Sequence, residues 1–190
     1  TNIENVCIKL IQHLERNLNM EICSNLVNNK YESNFINRNV NNALDEASDE
    51  FDNIELQKNK WIETLTSLLW KIKDRQSNNV IKLHFTEKKG MYFYTTAARC
   101  KGIHENLMKN HKKNKFIYNE LDFSTFKHTS GAVGSNQKLG GSVLKKFYDT
   151  YGQKLDNMKE MLTNVYTEFV INLREYDNEM NDFVKYVSNL

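Results

Sequence analysis

The chain of 190 residues contains no proline, and its first glycine is Gly90. Glycine and proline are the residues that most often interrupt a helix. Their absence from the first 89 residues therefore favours helices there. Four of the seven glycines lie between Ser130 and Ser142, so we expect the central part of the chain to differ in structure from its two ends.

Two apolar series at helical spacing flank that central part. Apolar residues three and four positions apart form one stripe on a helix and are typical of a coiled-coil seam. They predict long helices over about residues 39–75 and 139–189, preceded by a shorter helix that starts near Ile3 and ends near Asn28. The seam residues are Leu44, Ala47, Phe51, Ile54, Trp61, Leu65, Leu68 and Ile72, then Leu144, Tyr148, Tyr151, Leu155, Met158, Leu162, Val165, Phe169, Leu173, Tyr176, Met180, Phe183 and Val187. Because each seam needs an apolar partner, we expect the two long helices to pack side by side.

Between the long helices the apolar pattern is that of strands. Val80 to Phe85 and Met91 to Thr96 predict a hairpin with Gly90 at its turn. Residues 116–118 and 123–129 predict one or two further strands. The predicted fold class is therefore mainly α with a small β insertion, in which long antiparallel helices carry a small antiparallel β module at one end.

Two segments of the central part are predicted to lack regular structure. The run KNHKKNK, residues 109–115, is polar and expected to be mobile. Residues 130–142, SGAVGSNQKLGGS, are expected to form a glycine-rich loop that leads into the second long helix.

The net charge of +2 conceals an uneven distribution. Residues 81–146 hold thirteen Lys/Arg and four Asp/Glu, a balance of +9, whereas the remainder holds thirteen against twenty, a balance of −7. Four of the five histidines also lie in the basic segment. Such segregation suggests a polyanionic partner. A solvated surface that maintains solubility explains the same charges equally well.

Several functional classes are disfavoured by what the sequence lacks. It has no apolar run long enough to span a membrane and no secretory signal pattern, and three cysteines without a C-x-x-C pair favour a reducing, intracellular compartment. It contains neither a Walker-type nucleotide motif nor G-x-S-x-G, and its histidines lack metal-ligand spacing. We therefore expect no catalytic activity, cofactor or metal in this chain. Because it begins and ends within helical patterns, we expect it to be part of a larger protein.

The order of these elements resembles the lever and clamp region of the MutS family of DNA mismatch repair ATPases. The resemblance is carried by WIETLTSLLWKIKDR, KLHFTEKKGMYFYTT and SNQKLGGSVLKKFYDTYGQKLDNMKEML. The family's glycine-aromatic strand is similar to Gly90, Met91 and Tyr92, with Met91 where tyrosine is usual. Residues 135–139, Ser-Asn-Gln-Lys-Leu, are similar to the family's Thr-Asn-x-x-Leu before the returning lever helix.

The resemblance implies a division into lever helices over residues 1–79, a clamp-like β module over 80–138 and a returning lever helix over 139–190. It implies that the module contacts the backbone of double-stranded DNA without reading sequence, and that the helices connect it to other domains of the parent protein. ATP and Mg²⁺ are then expected for the parent protein, with dimerisation through regions outside this chain. The residues expected to contact DNA are Lys88, Lys89, Lys127, Ser130, Ser135, Asn136 and Lys138.

Two other functions remain open from the sequence. The first is a coiled-coil scaffold whose end module docks a protein partner. The second, less favoured, is a nuclease that uses the histidine-rich zone. Binding of duplex DNA that weakens with salt would favour the DNA-binding function over the scaffold.

Overall fold

The structure is a computed structural model that describes residues 2–26, 33–69, 80–86, 90–110, 116–132 and 134–188. Most of these residues are helical, and a small antiparallel sheet contains four strands. This confirms the coarse prediction of a mainly α chain with a small β insertion. The chain divides into two compact units, residues 1–50 with 155–190 and residues 51–154.

Along the chain, helices come first, the strands and one further helix follow, and helices end the described part. The helices are α1 (Asn2–Asn17), α2 (Met20–Ser24), α3 (Asn42–Ser67), α4 (Ala97–Asn110), α5 (Ser142–Asn172) and α6 (Asp177–Ser188), with a 3₁₀ turn (Leu173–Tyr176) between the last two. The strands are β1 (Lys82–Thr86), β2 (Gly90–Thr95), β3 (Ile117–Tyr118), β4 (Leu121–Asp122), β5 (Lys127–Thr129) and β6 (Gln137–Gly140).

The first unit shows that the predicted helix ending near Asn28 is wrong. Helix α1 ends at Asn17, and the Asn19 side chain accepts a hydrogen bond from the Ile22 N–H at 3.1 Å to start α2. The Asn37 amide donates to carbonyls at the end of α1, including that of Glu15 at 2.8 Å. Asparagine competes for backbone groups, and this competition favours a helix end that apolar spacing alone does not reveal.

Aromatic contacts hold the first unit together. Phe35 meets Tyr166 edge-on, with ring centroids 5.3 Å apart. The Phe169 ring stacks on His13 of α1 at 5.5 Å. Phe169 is buried, as the seam predicts.

In the second unit, the helix seam is antiparallel. Phe51 of α3 contacts Tyr151 of α5 at 5.6 Å, whereas Trp61, later in α3, contacts Phe147, earlier in α5, at 6.3 Å. The Tyr151 hydroxyl also donates to the Glu55 carboxylate. The predicted antiparallel pairing of the two long helices is therefore present within this unit.

The second long helix differs from the prediction at both ends. It begins at Ser142 because residues 137–140 form strand β6 instead of a loop and helix start. Near its other end a 3₁₀ turn, Leu173–Tyr176, interrupts it. The seam is buried at Leu144 and Leu162, but Val187, beyond the interruption, is 50% exposed.

Helix α4 was not predicted. It includes Lys109 and Asn110, the first two residues of the run expected to be mobile, which are therefore helical, and residues 111–115 lie outside the described part. Helix α3 covers most of the described portion of the predicted 39–75 helix, starting at Asn42 and ending at Ser67. Residues 70–79 lie outside the described part of the chain. The predicted strand from Val80 begins at Lys82.

Candidate nucleic-acid interface

The four-stranded sheet has two chemically different faces. Its strand order is β1-β2-β6-β5, with every neighbouring pair antiparallel. Side chains alternate between the faces along each strand, so the register assigns each residue to one of them. We name one the core face and the other the basic face. The basic face contains Lys82, His84, Tyr92, Tyr94, Lys127, Thr129, Lys138 and Gly140.

Helices of the second unit cover the core face. Phe93 of β2 is fully buried and stacks on Phe147 of α5 with ring centroids 5.8 Å apart. His128 of β5 contacts His104 of α4 at 6.1 Å. Both contacts lie on one side of the sheet, so the packing of α4 and α5 identifies that side as the core.

Two rows of the basic face cross the strands, and Thr86 with Gly90 forms a further pair of this face at the end of the hairpin. The first row follows the registered pairs from β1 to β5 and contains Lys82, Tyr94, Lys138 and Thr129. The second row contains His84 paired with Tyr92, and Lys127 paired with Gly140. Since adjacent strands lie about 4.8 Å apart, Lys82 and Lys138, two strands apart, begin from backbone positions about 10 Å apart.

Exposure varies across the basic face. Lys82, Lys127 and Thr129 are exposed, and Lys138 is half-buried. Tyr92 is buried even though it belongs to this face. The exposed lysines are therefore accessible to a ligand, whereas the Tyr92 ring serves mainly as a support for its neighbours.

Tyr92 is the centre of a cluster of rings and one cation. The Lys138 Nζ lies 4.3 Å from the centroid of the Tyr92 ring. His84 contacts the same ring at 4.9 Å, and Tyr94 at 6.3 Å. An ammonium group over an aromatic face is attracted by the ring's quadrupole, an interaction of about 0.5–1 kcal/mol at exposed sites. This contact orients the Lys138 ammonium on the basic face.

The charge of the basic face is uniform in sign. The strands β1, β2, β5 and β6 contain no Asp or Glu, and their three lysines all belong to this face. A surface with cations of one sign and no compensating carboxylate on its own strands produces a positive potential that attracts anions. Lysine ammonium groups donate to phosphate oxygens without distinguishing bases.

Tyr148 of α5 inserts its hydroxyl between two central strands. The registered pairs of β2 with β6 stop at Tyr94 and Lys138, so Phe93 and Leu139 would form the next pair. Instead, the Phe93 N–H donates to the Tyr148 hydroxyl at 3.1 Å, and that hydroxyl donates to the Leu139 carbonyl at 3.0 Å. A tyrosine hydroxyl is ordinarily protonated at neutral pH, and burial raises the pKa of Tyr148 further above its ordinary value, so the hydroxyl remains a donor in this bridge.

The structure brings together some of the predicted contact residues. Lys127 and Lys138 share the basic face. Ser130 and Ser135 are exposed near the turn between β5 and β6, and Asn136 is half-buried beside them. The remaining predicted residues, Lys88 and Lys89, lie outside the described part of the chain.

Among the basic and aromatic residues of the basic face, four were missed by the sequence analysis. They are Lys82, His84, Tyr92 and Tyr94. A signal for them exists, because in each strand of the hairpin they are two residues apart and therefore share a face. Whether Lys127 and Lys138 lie on that same face depends on the strand pairing, which the sequence pattern does not specify.

Within the described ranges, no three His, Cys, Asp or Glu side chains converge in a way that could hold a metal ion. None of the helices described is both long and apolar enough to cross a membrane. No protein-family model matches the chain, and a comparison with curated proteins finds no match.

Proposed function

We propose that the chain is a non-catalytic module that binds the backbone of double-stranded DNA without sequence specificity and transmits that binding along its helices. The observation that carries this proposal is the basic face, on which three lysines from three strands occur with no carboxylate on the four strands of the sheet. Phosphate contacts fix the position of a protein on DNA but carry no direct sequence information.

We also propose that this module corresponds to the lever and clamp of the MutS family, which the sequence resembles. This part of the proposal is supported by a small sheet joined to long helices. The helix seam is antiparallel in the second unit, where Phe51 contacts Tyr151 and Trp61 contacts Phe147. In this proposal the parent protein acts in an intracellular, reducing compartment. Its other domains supply ATP and Mg²⁺ binding and dimerisation.

A physical connection between sheet and helix supports the transmission part of the proposal. Tyr148 belongs to α5, and its hydroxyl bonds to backbone groups of both β2 and β6. Displacement of these strands on ligand binding would therefore act on α5 directly. Because the Tyr148 hydroxyl bonds to backbone groups, no second side chain lies between α5 and the strands in this connection.

The test is the salt dependence of duplex binding by single alanine variants. Lys82→Ala, Lys127→Ala and Lys138→Ala should each weaken binding equally for matched, mismatched and sequence-varied duplexes. Each should reduce the magnitude of the slope of log affinity against log salt by about 0.9 for every phosphate that the variant no longer neutralises. The double variant Lys88→Ala, Lys89→Ala extends the same measurement to the turn.

Lys101→Ala is the matched control for this experiment. Lys101 is exposed on α4, a helix that packs on the core face. Its replacement removes the same charge from the second unit but not from the basic face. If the three basic-face variants changed the slope no more than Lys101→Ala does, the proposed interface would be refuted.

A scaffold that docks a protein partner is the second candidate function. It is favoured by apolar side chains that are exposed in the second unit, among them Phe85, Met108 and Ile117, which are 45%, 47% and 60% exposed. Binding of a protein partner that survives replacement of all three basic-face lysines, together with no affinity for duplex DNA, would support this function instead.

A further inference from the structure

Gly140 leaves an open place in the second row of the basic face. Its registered neighbour on β5 is Lys127. A Cβ built on Gly140 would lie 3.8 Å from the Lys127 Cγ and 3.9 Å from the Lys127 carbonyl oxygen, which is ordinary contact. Among the described residues nothing else lies within 4 Å of that position. We name this place the Gly140 notch.

Two lysines are neighbours of the notch in the sheet, Lys127 across the β5–β6 pairing and Lys138 two residues earlier on β6. Lys127 runs beside Gly140 from one adjacent strand. Lys138 starts in the first row, but its Nζ lies over the Tyr92 ring, a residue of the second row. Its charge is therefore directed towards the row that contains the notch.

The Tyr148 hydroxyl bridges the two strands beside the notch. Two hydrogen bonds of 3.1 and 3.0 Å through this hydroxyl stand where one direct bond would join Phe93 to Leu139. A direct N–H···O bond would be about 2.9 Å long. Gly140 immediately follows Leu139, so β2 and β6 are joined through the Tyr148 hydroxyl, and not by a direct bond, next to the notch.

We propose that the Gly140 notch binds one phosphate group between the Lys127 and Lys138 ammonium groups. This inference rests on the proposed function, because it assigns one phosphate of the DNA backbone to one place on the basic face. The missing side chain lets a phosphate approach the strand closely, and glycine is the residue that permits such an approach. Two cations from different strands balance the charge of the ligand.

The shared chemistry is that of a phosphate group, which duplex DNA or inorganic phosphate could supply. The first measurement therefore uses backbone amide NMR spectra of the full chain, titrated separately with a short DNA duplex and with inorganic phosphate. The amides of Gly140 and Lys127 should shift and saturate with the duplex. A saturable shift of the same amides with inorganic phosphate would support a phosphate site that also accepts the free ion.

The second measurement fills the notch. Gly140→Ala adds one methyl group at a position without positive φ and without a close contact, so the fold should be retained. We expect the magnitude of the salt slope for duplex binding to fall by about 0.9, which corresponds to one phosphate contact. Gly152→Ala is the matched control, because it adds the same methyl group in open space on α5.

The outcomes separate this inference from the proposed function. If Lys82→Ala and Lys127→Ala reduce the slope, while Gly140→Ala behaves like Gly152→Ala and the Gly140 amide does not shift, the notch proposal is overturned and the basic face stands. If inorganic phosphate shifts the Gly140 amide but no duplex binds, the notch stands and the proposed function fails. If Gly140→Ala lowers the melting temperature, its salt slope no longer tests the notch, and the amide titrations of the unmodified chain then decide whether the Gly140 notch binds phosphate.

Discussion

Replacement of Gly141 by alanine should strongly destabilise the second unit. Gly141 joins β6 to α5 and has a φ of +137°. Residues that carry a side chain rarely adopt this backbone conformation. A Cβ at this position would lie 2.5 Å from the carbonyl oxygen of Thr125 and 3.0 Å from its Oγ1. The close approach is reinforced by the Ser142 N–H, which donates to the Thr125 Oγ1 at 2.8 Å.

The expected loss has two sources. Holding a non-glycine residue in a sparsely populated backbone region costs about 1–3 kcal/mol. Relieving the contact requires a backbone shift, and overpacking of this kind typically costs about another 1–3 kcal/mol. We therefore expect Gly141→Ala to lower the free energy of unfolding by about 2–6 kcal/mol, the sum of these two costs, measured by urea denaturation followed by circular dichroism and tryptophan fluorescence.

Gly152→Ala is a control variant that should raise, and not lower, the free energy of unfolding. Gly152 lies within helix α5, and a Cβ there would meet nothing within 4 Å. Alanine is better than glycine in a helix by roughly 0.5–1 kcal/mol. If Gly141→Ala changed the unfolding free energy by less than about 0.5 kcal/mol, the range of an ordinary surface substitution, the close approach at Thr125 would be refuted.

Two further predictions concern other parts of the chain. Asn37→Ala should lower the unfolding free energy by about 0.5–1.5 kcal/mol, because carbonyls at the end of α1 lose their donor; unchanged denaturation would show that water replaces it. Burial raises the pKa of the Cys100 thiol to about 11, and its side chain is fully buried, so at pH 8 it should react with Ellman's reagent at least about 10-fold more slowly than the half-buried Cys7 and Cys23. Equal rates for all three thiols would contradict the burial of Cys100.

Part of the fold could be predicted because local spacing determines it. The seam residues from Leu44 to Leu65 are buried in α3, and those from Leu144 to Phe169 are buried or half-buried in α5. The hairpin of β1 and β2 also follows from local sequence, with Gly90 at φ +65°. In these elements the side-chain period and the backbone requirement both lie within a few neighbouring residues.

The elements that were missed depend on partners distant in sequence. Strand β6 has one buried apolar residue, Leu139, and forms because β2 and β5 pair with it on either side. Helix α4 contains Gly102 and many polar residues, and its helical stripe of Cys100, Ile103 and Leu107 is short. Tertiary packing stabilises both elements beyond their own weak propensity.

The candidate interface was predictable only in part for the same reason. Lys127 and Lys138 were identified from charge and resemblance. Lys82 and Tyr92 were missed because their relation to those lysines depends on the register across β2, β6 and β5. A shift of one residue in any of these pairings would move a lysine to the opposite face.

The antiparallel seam of the second unit has a consequence for the order of folding. Its contact between Glu55 and Tyr151 closes a separation of 96 residues, for which the chain entropy loss is about 4 kcal/mol plus a constant. The β1–β2 hairpin, whose last pair joins Thr86 to Gly90, closes at a much smaller entropic cost. Prior folding of the sheet would shorten the flexible path between α3 and α5. The insertion would thus serve as a folding nucleus for the helices that flank it, and the helix seam would form late.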